Sequence, residues 1–239
     1  MAKQTGPVPI EGVIGDLIYY KTIYGNLVRR KGSLNKDRVM SDPAFKGSRA
    51  AGSEFGRSGI ASGLLRNAIK KFCPYAGNGQ THFRLSKLFG TIIRLDTEHP
   101  QGERQVLAEH CGALKSFEWI QDHPLNRSFW AQCGGSMSPE GKLTLSMSGL
   151  NPKRDLGWPL NATHAELTLI CFAADFPNKT IEVDGAKSGK LPKVNSSADL
   201  VLECQIPIQQ TDVVMAGIGV QFFEGEHALA EGAAFGLVG

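Results

Sequence analysis

No two of the five cysteines, Cys73, Cys111, Cys133, Cys171 and Cys204, stand close together in this 239-residue chain. That excludes the Cys-x-x-Cys pairs of zinc ribbons and thioredoxin-type redox sites. Cys171 and Cys204 lie in the apolar runs "LTLICFA" and "LVLECQI", where a reduced thiol serves as a small core hydrophobe. The six histidines are scattered. His110 and Cys111 with His123 and Cys133 are the one grouping a metal site would draw on, and they lack a chelating pair at helical spacing, so neither metal nor cofactor is expected. No Gly-x-Ser-x-Gly elbow occurs; "CGGSMSPEG" and "LSMSGL" have hairpin context instead. "DGAKSGKLPK" lacks the Walker spacing and reads as a basic hairpin loop. "MAGIGVQ" lies inside a strand run, where glycine marks a bulge or a close backbone approach. No pair of carboxylates stands out. The expectation is a protein that is not an enzyme and has no small-molecule substrate. Long apolar runs are also absent: nothing approaches the roughly 18 residues of a membrane span. The first residues contain Lys3 but no unbroken apolar stretch, so synthesis in the cytoplasm without a signal peptide is expected. The sequons at Asn126, Asn161, Asn178 and Asn195 then read as polar strand-edge positions.

What is present is ordinary globular composition, 41% apolar and 21% charged, with an uneven charge distribution. Residues 1–100 carry 16 Lys+Arg against 7 Asp+Glu, whereas residues 101–239 carry 10 against 16. A chain polarised in this way suits head-to-tail association or a basic arm on an acidic body; two separately solvated halves are the plainer alternative.

Patterning divides the chain near residue 110. Residues 11–31 read as a β-hairpin, with Val13 and Leu17–Tyr20 on one strand, "YGN" as the turn and Leu27 and Val28 on the return. Arg29, Arg30 and Lys31 end the return strand, either as a charged guard on a sheet edge or as a nucleic-acid platform beside the tyrosines. A helix is expected from Pro43 to about Phe72, with Ser41 as its cap and a break near Gly56–Gly59; the alternative is a loop between two short helices. Gly52, Gly56, Gly59 and Gly63 together sacrifice roughly 4 kcal/mol of helix propensity, at about 1 kcal/mol each. Their four-residue spacing stacks small residues on one side, where another backbone can come close. "AGNG" ends this element, and "THFRLSKLFGTIIRLDT" is a clear amphipathic helix. Beyond "HPQGERQ", "FEWI", "SFWAQCG", "KLTLSMSGL", "HAELTLICFAADF", "KTIEVD", "DLVLECQIPI" and "VVMAGIGVQFFEG" are short strand runs separated by "SPEGK", "FPNK" and "VDGAKSGK". "AAFGLVG" supplies a further edge strand. Asn161 and Thr163 shape a turn ahead of His164, which caps the sheet. The fold class is therefore α+β: an N-terminal β-hairpin and helices over 1–110, then an antiparallel Ig-like β-sandwich over 111–239.

The segments "IEGVIGDLIYYKTIYGNLVRRKG", "DPAFKGSRAAGSEFG", "ATHAELTLICFAADF" and "VVMAGIGVQFF" together resemble a family of uncharacterised proteins from Bacteroidota, in which a hairpin and a basic helix precede a β-sandwich. The glycine-bearing hairpin and the Arg-bearing segment after it also resemble small phage-derived virion proteins. The first resemblance implies the same architecture and no catalytic residues.

These features point to a self-assembling structural subunit, as in a virion or other particle. Gly52, Gly56, Gly59, Gly63, Arg49 and Arg57 are the candidate self-association residues, and a homo-oligomer is the expected state. The alternatives are a nucleic-acid-binding protein using Arg29, Arg30, Lys31, Arg66, Lys70 and Lys71 with Arg49 and Arg57, or a sandwich module whose loops bind a protein or carbohydrate.

Overall fold

A computed structural model describes residues 2–32, 36–77, 79–209 and 213–238. Asn78 of the "AGNG" break therefore lies outside the described residues. The chain belongs to the α+β class, and its contacts divide it into two compact units, residues 1–49 and 50–239.

The first unit holds an antiparallel sheet of β1 (Ala2–Lys3), β2 (Gly12–Ile14), β3 (Leu17–Thr22) and β4 (Gly25–Arg30), in the order β1-β4-β3-β2. The expected hairpin is its centre, with Tyr19 opposite Val28 and Tyr20 opposite Leu27. Two details differ. Val13 is on a separate strand, because Gly15, at φ 57°, reverses the chain between Ile14 and Leu17. The β3–β4 turn is Ile23–Tyr24, and Gly25 already opens β4. After α1 (Lys36–Ser41), Ser41 ends a helix instead of capping one; Asp42 takes the cap, its side chain accepting from the Ala44 N–H at 2.9 Å ahead of a 3-10 turn over Pro43–Phe45.

Helix α2 (Lys46–Lys70) follows and continues into the second unit unbroken, so neither a break at Gly56–Gly59 nor a loop between two helices occurs. α3 (Thr81–Leu95) matches its amphipathic pattern, burying Leu85, Phe89, Ile92 and Ile93. A 3-10 stretch (Ala108–Ser116) and α4 (Leu125–Ser128) lead to β5 (Gly134–Met137) and β6 (Lys142–Leu150). Then come α5 (Pro152–Asp155), β7 (His164–Asp175), β8 (Thr180–Lys187), β9 (Leu191–Pro192), β10 (Ala198–Gln205), β11 (Val213–Glu224) and β12 (His227–Val238).

These strands form the antiparallel sandwich. One sheet runs β10-β6-β5; the other runs β12-β11-β7-β8, with β9 paired to one end of β7. Alternation along β7 explains why "HAELTLICFAAD" is apolar almost throughout. Leu167, Leu169 and Cys171 face Leu145, Met147 and Leu202 of the three-stranded sheet, while Ile170, Phe172 and Ala174 pack with Leu65, Ile69, Phe89 and Ile92 of the helices. The result is three layers: helices, five-stranded sheet, three-stranded sheet. Because α2 and α3 share a core with β7, β11 and β12, the unit boundary falls at 49/50, away from the composition change near residue 110.

Glycine allows this layering in β11. A Cβ on Gly219 would run into Tyr75 and Cys73, and one on Gly217 into the Phe235 ring, so "MAGIGVQ" does mark close approach. Gly185 does the same for Phe72, which places "VDGAK" within β8 and not in a turn. "FEWI" is not a strand either. Its Trp119 is fully buried, edge-on to Phe117 and Phe235, and serves as a core plug under α3. Of "SFWAQCG", Phe129 makes only an isolated bridge to Leu156, and ladder pairing begins at Gly134. Asn161 does turn the chain, at φ 69°. Thr163 bonds the Phe223 carbonyl at 3.1 Å, and His164 stacks on the Phe223 ring at 4.8 Å. No helix among the described residues is long and apolar enough to cross a membrane.

Candidate functional site

The candidate face lies on α2. At about 100° per residue, its buried residues Ser58, Ala61, Ser62, Leu65, Ala68 and Ile69 form one side, turned to the core. Gly52, Gly56, Gly59 and Gly63 recur at intervals of four, three and four on the other side. Outside the helix's own neighbouring backbone, nothing among the described residues lies within 4 Å of where a Cβ would stand on any of the four. They thus differ from Gly185, Gly217 and Gly219, whose missing side chains are needed for packing. Phe55, 75% exposed, and Ile60, 46% exposed, flank the glycine row. Neither was singled out by the sequence pattern, although each sits one residue from a candidate glycine.

Arg49 stands three and seven residues before Gly52 and Gly56, on their side of the helix, and Arg57 lies off it; both guanidinium groups bond to the chain's own backbone. Arg49 Nη1 donates to the Val39 and Asp42 carbonyls at 2.7 and 2.9 Å, tying α1 to the start of α2. Arg57 Nη1 donates to the Gly102 carbonyl at 2.7 Å, while Glu54 accepts from the Gly102 N–H at 2.9 Å. The pair clamps the 96–105 loop onto α2. Both candidate arginines thus bond to backbone carbonyls of their own chain.

The basic set of the nucleic-acid reading is split between the two units. Arg29 and Arg30, adjacent on β4, point to opposite faces; Arg29 lies over the Tyr20 ring at 5.9 Å and Arg30 is 3.7 Å from Asp16. Lys31 follows β4 and is exposed. Arg66, half-buried, and the exposed Lys70 and Lys71 lie at the end of α2. Among the described residues no group of three or more His, Cys, Asp or Glu side chains is placed to hold a metal ion. The exposed Cys133 and the buried Cys73, Cys111, Cys171 and Cys204 are free thiols. Burial pushes the Cys73 thiol up to about 11 and the Cys111 thiol up to about 12, which keeps both protonated and unreactive.

The residue that sequence patterning missed outright is Asp96. Its fully buried carboxylate accepts the backbone N–H groups of Glu98, His99 and Gln105 at 2.9, 3.2 and 2.8 Å, and the His99 ring Nδ1–H at 2.8 Å. Asp96 therefore shapes the loop that Arg57 and Glu54 hold against α2. Its only sequence signal is a position just past the last apolar residue of α3, which many unremarkable aspartates share.

No protein-family model matches the chain, and no curated protein matches it.

Proposed function

We propose that this protein is a structural subunit that self-associates through the glycine face of α2, in the manner of a particle or virion component. One observation carries the reading. Four glycines weaken an unbroken 25-residue helix on a face where no group among the described residues uses the space they leave. A second copy is the occupant that the charge distribution favours: the row continues toward Arg66 and Lys70, and residues 101–239 of a neighbour carry the excess of acid. Such a head-to-tail contact uses different surfaces on the two copies and builds rings or filaments, depending on whether the rotation closes.

Gly56→Leu with Gly59→Leu is expected to abolish assembly, read as molar mass by light scattering across a size-exclusion peak, while the far-ultraviolet spectrum of the sandwich stays unchanged. Normal assembly of this folded variant refutes the reading. A wild-type monomer that elutes with nucleic acid, seen in the ratio of absorbance at 260 and 280 nm, would hand the function to the basic residues instead.

A further inference from the structure

The sandwich has an unfilled side. Between β5–β6 and the β11–β12 end of the other sheet lies a cleft of about 580 Å³, lined by Leu143, Leu145, Leu169, Met215, Ala216 and Ile218, with Cys133 and Met137 on its rim. Its origin is visible in the register. Gly135 lies opposite Leu145 and Met137 opposite Leu143, so β5 turns the same face inward as those leucines. On that face Gly135 has no side chain, a Cβ there would meet open space, and the small Ala216 of β11 also lines the cleft. Interiors pack almost without voids, and an apolar cleft of this size is large enough for a ligand. β5 is also the end strand of its sheet, exposed at all four positions, and no strand of the described residues pairs with its outer edge. A free backbone edge beside an apolar cleft is the layout that accepts an added strand, by main-chain hydrogen bonds and alternate side chains.

The chain contains a segment suited to that place. Thr5–Glu11, "TGPVPIE", lies outside the strands and is exposed throughout, with Val8 at 73% and Ile10 at 43%. In extended conformation Val8 and Ile10 project to one face and direct their backbone groups to one edge. Pro7 and Pro9 fall on the opposite edge and remove its donors, so the segment can pair on one side and blocks further pairing on the other. The Ile10 backbone is held by the Gln4 side chain, through bonds of 3.0 and 3.1 Å.

We infer that the Gly6–Ile10 segment of a second copy adds to the free edge of β5 and seats Val8 and Ile10 in the cleft. This contact goes beyond the α2 face and is independent of it.

The exposed Cys133 at the rim provides the test, because the other four cysteines are buried. Full-length Val8→Cys and Ile10→Cys variants are each mixed with wild-type chain, oxidised with copper phenanthroline and run on a non-reducing gel. The expected result is a covalent dimer through Cys133, lost in Cys133→Ser and reduced at least tenfold when the neighbouring apolar residue is made acidic, as in Val8→Cys with Ile10→Asp. It should persist in the Gly56→Leu, Gly59→Leu background, so failure of the α2 reading and failure of this one are told apart. A link that survives Ile10→Asp, a link formed only within one chain, or no link at all overturns the inference. So does an acyl chain released by organic extraction in place of the link, which would give the cleft to a lipid.

Discussion

Replacing Gly52, Gly56, Gly59 and Gly63 together by alanine is expected to make the chain more stable, by roughly 2–4 kcal/mol at 0.5–1 kcal/mol per site. All four lie within a continuous helix, and a Cβ at each would meet open space, so the gain in helix propensity is opposed by no clash. For a chain of this size it amounts to a rise in Tm of about 4–16 °C, measurable by calorimetry. The same variant should assemble less well than the wild type, because methyl groups hold apart the surfaces that the glycines let meet. A protein that becomes more stable and less associated from one set of changes has kept those glycines for something other than its own fold. No gain in stability would mean that the glycine face is already covered in solution.

The largest loss is expected at Asp96. Asp96→Ala removes a buried carboxylate that four N–H donors share, and should destabilise the second unit by about 3–5 kcal/mol, the range for breaking a buried, hydrogen-bonded charge network. Urea unfolding followed by tryptophan fluorescence is the measurement, since Trp119 lies in the core beneath α3. pH gives a second signature. Burial alone would push the Asp96 carboxyl up, but the N–H groups of Gln105, His99 and Glu98 and the His99 ring together hold it below the usual carboxylate range. A carboxyl whose folded value is depressed contributes stability that is present above its unfolded value, about 3.9, and is lost as pH falls through the folded value. The wild type should therefore lose stability steeply below about pH 4, and Asp96→Asn should lack that part of the acid limb. Equal acid sensitivity of the two would show that other carboxylates set the limb.

How far the sequence reveals this protein depends on the range of the interactions involved. α3 is legible because Leu85, Phe89, Ile92 and Ile93 repeat at the helical period, and the β3–β4 hairpin because its partners are neighbours in the chain. The glycine row on α2 is legible as a spacing, yet its being open rather than packed is not. Gly219 and Gly59 look alike in a string, but Tyr75 and Cys73 crowd one while nothing among the described residues outside its own helix backbone comes within 4 Å of a Cβ on the other. Arg57 shows the same limit. The sequence makes it a candidate for contact with another molecule, whereas its bond is to a carbonyl 45 residues away in its own chain. Trp119 reads as a strand residue in the sequence because aromatics favour both ladders and cores, and local pattern does not separate the two. The cleft beside Gly135 is a product of register between distant strands, which no local window contains.

The layer order has a consequence for biosynthesis. The helices that cover the five-stranded sheet are made before β11 and β12, which supply Met215, Phe235 and Leu237 to the same core. At about 5–20 residues per second, the ribosome needs roughly 7–30 s to pass from the end of α3 to the end of β12. Throughout that interval Leu65, Ile69, Phe89 and Ile92 have no complete sheet to lie on. Until β12 is out, the nascent chain therefore exposes apolar side chains that its finished core buries.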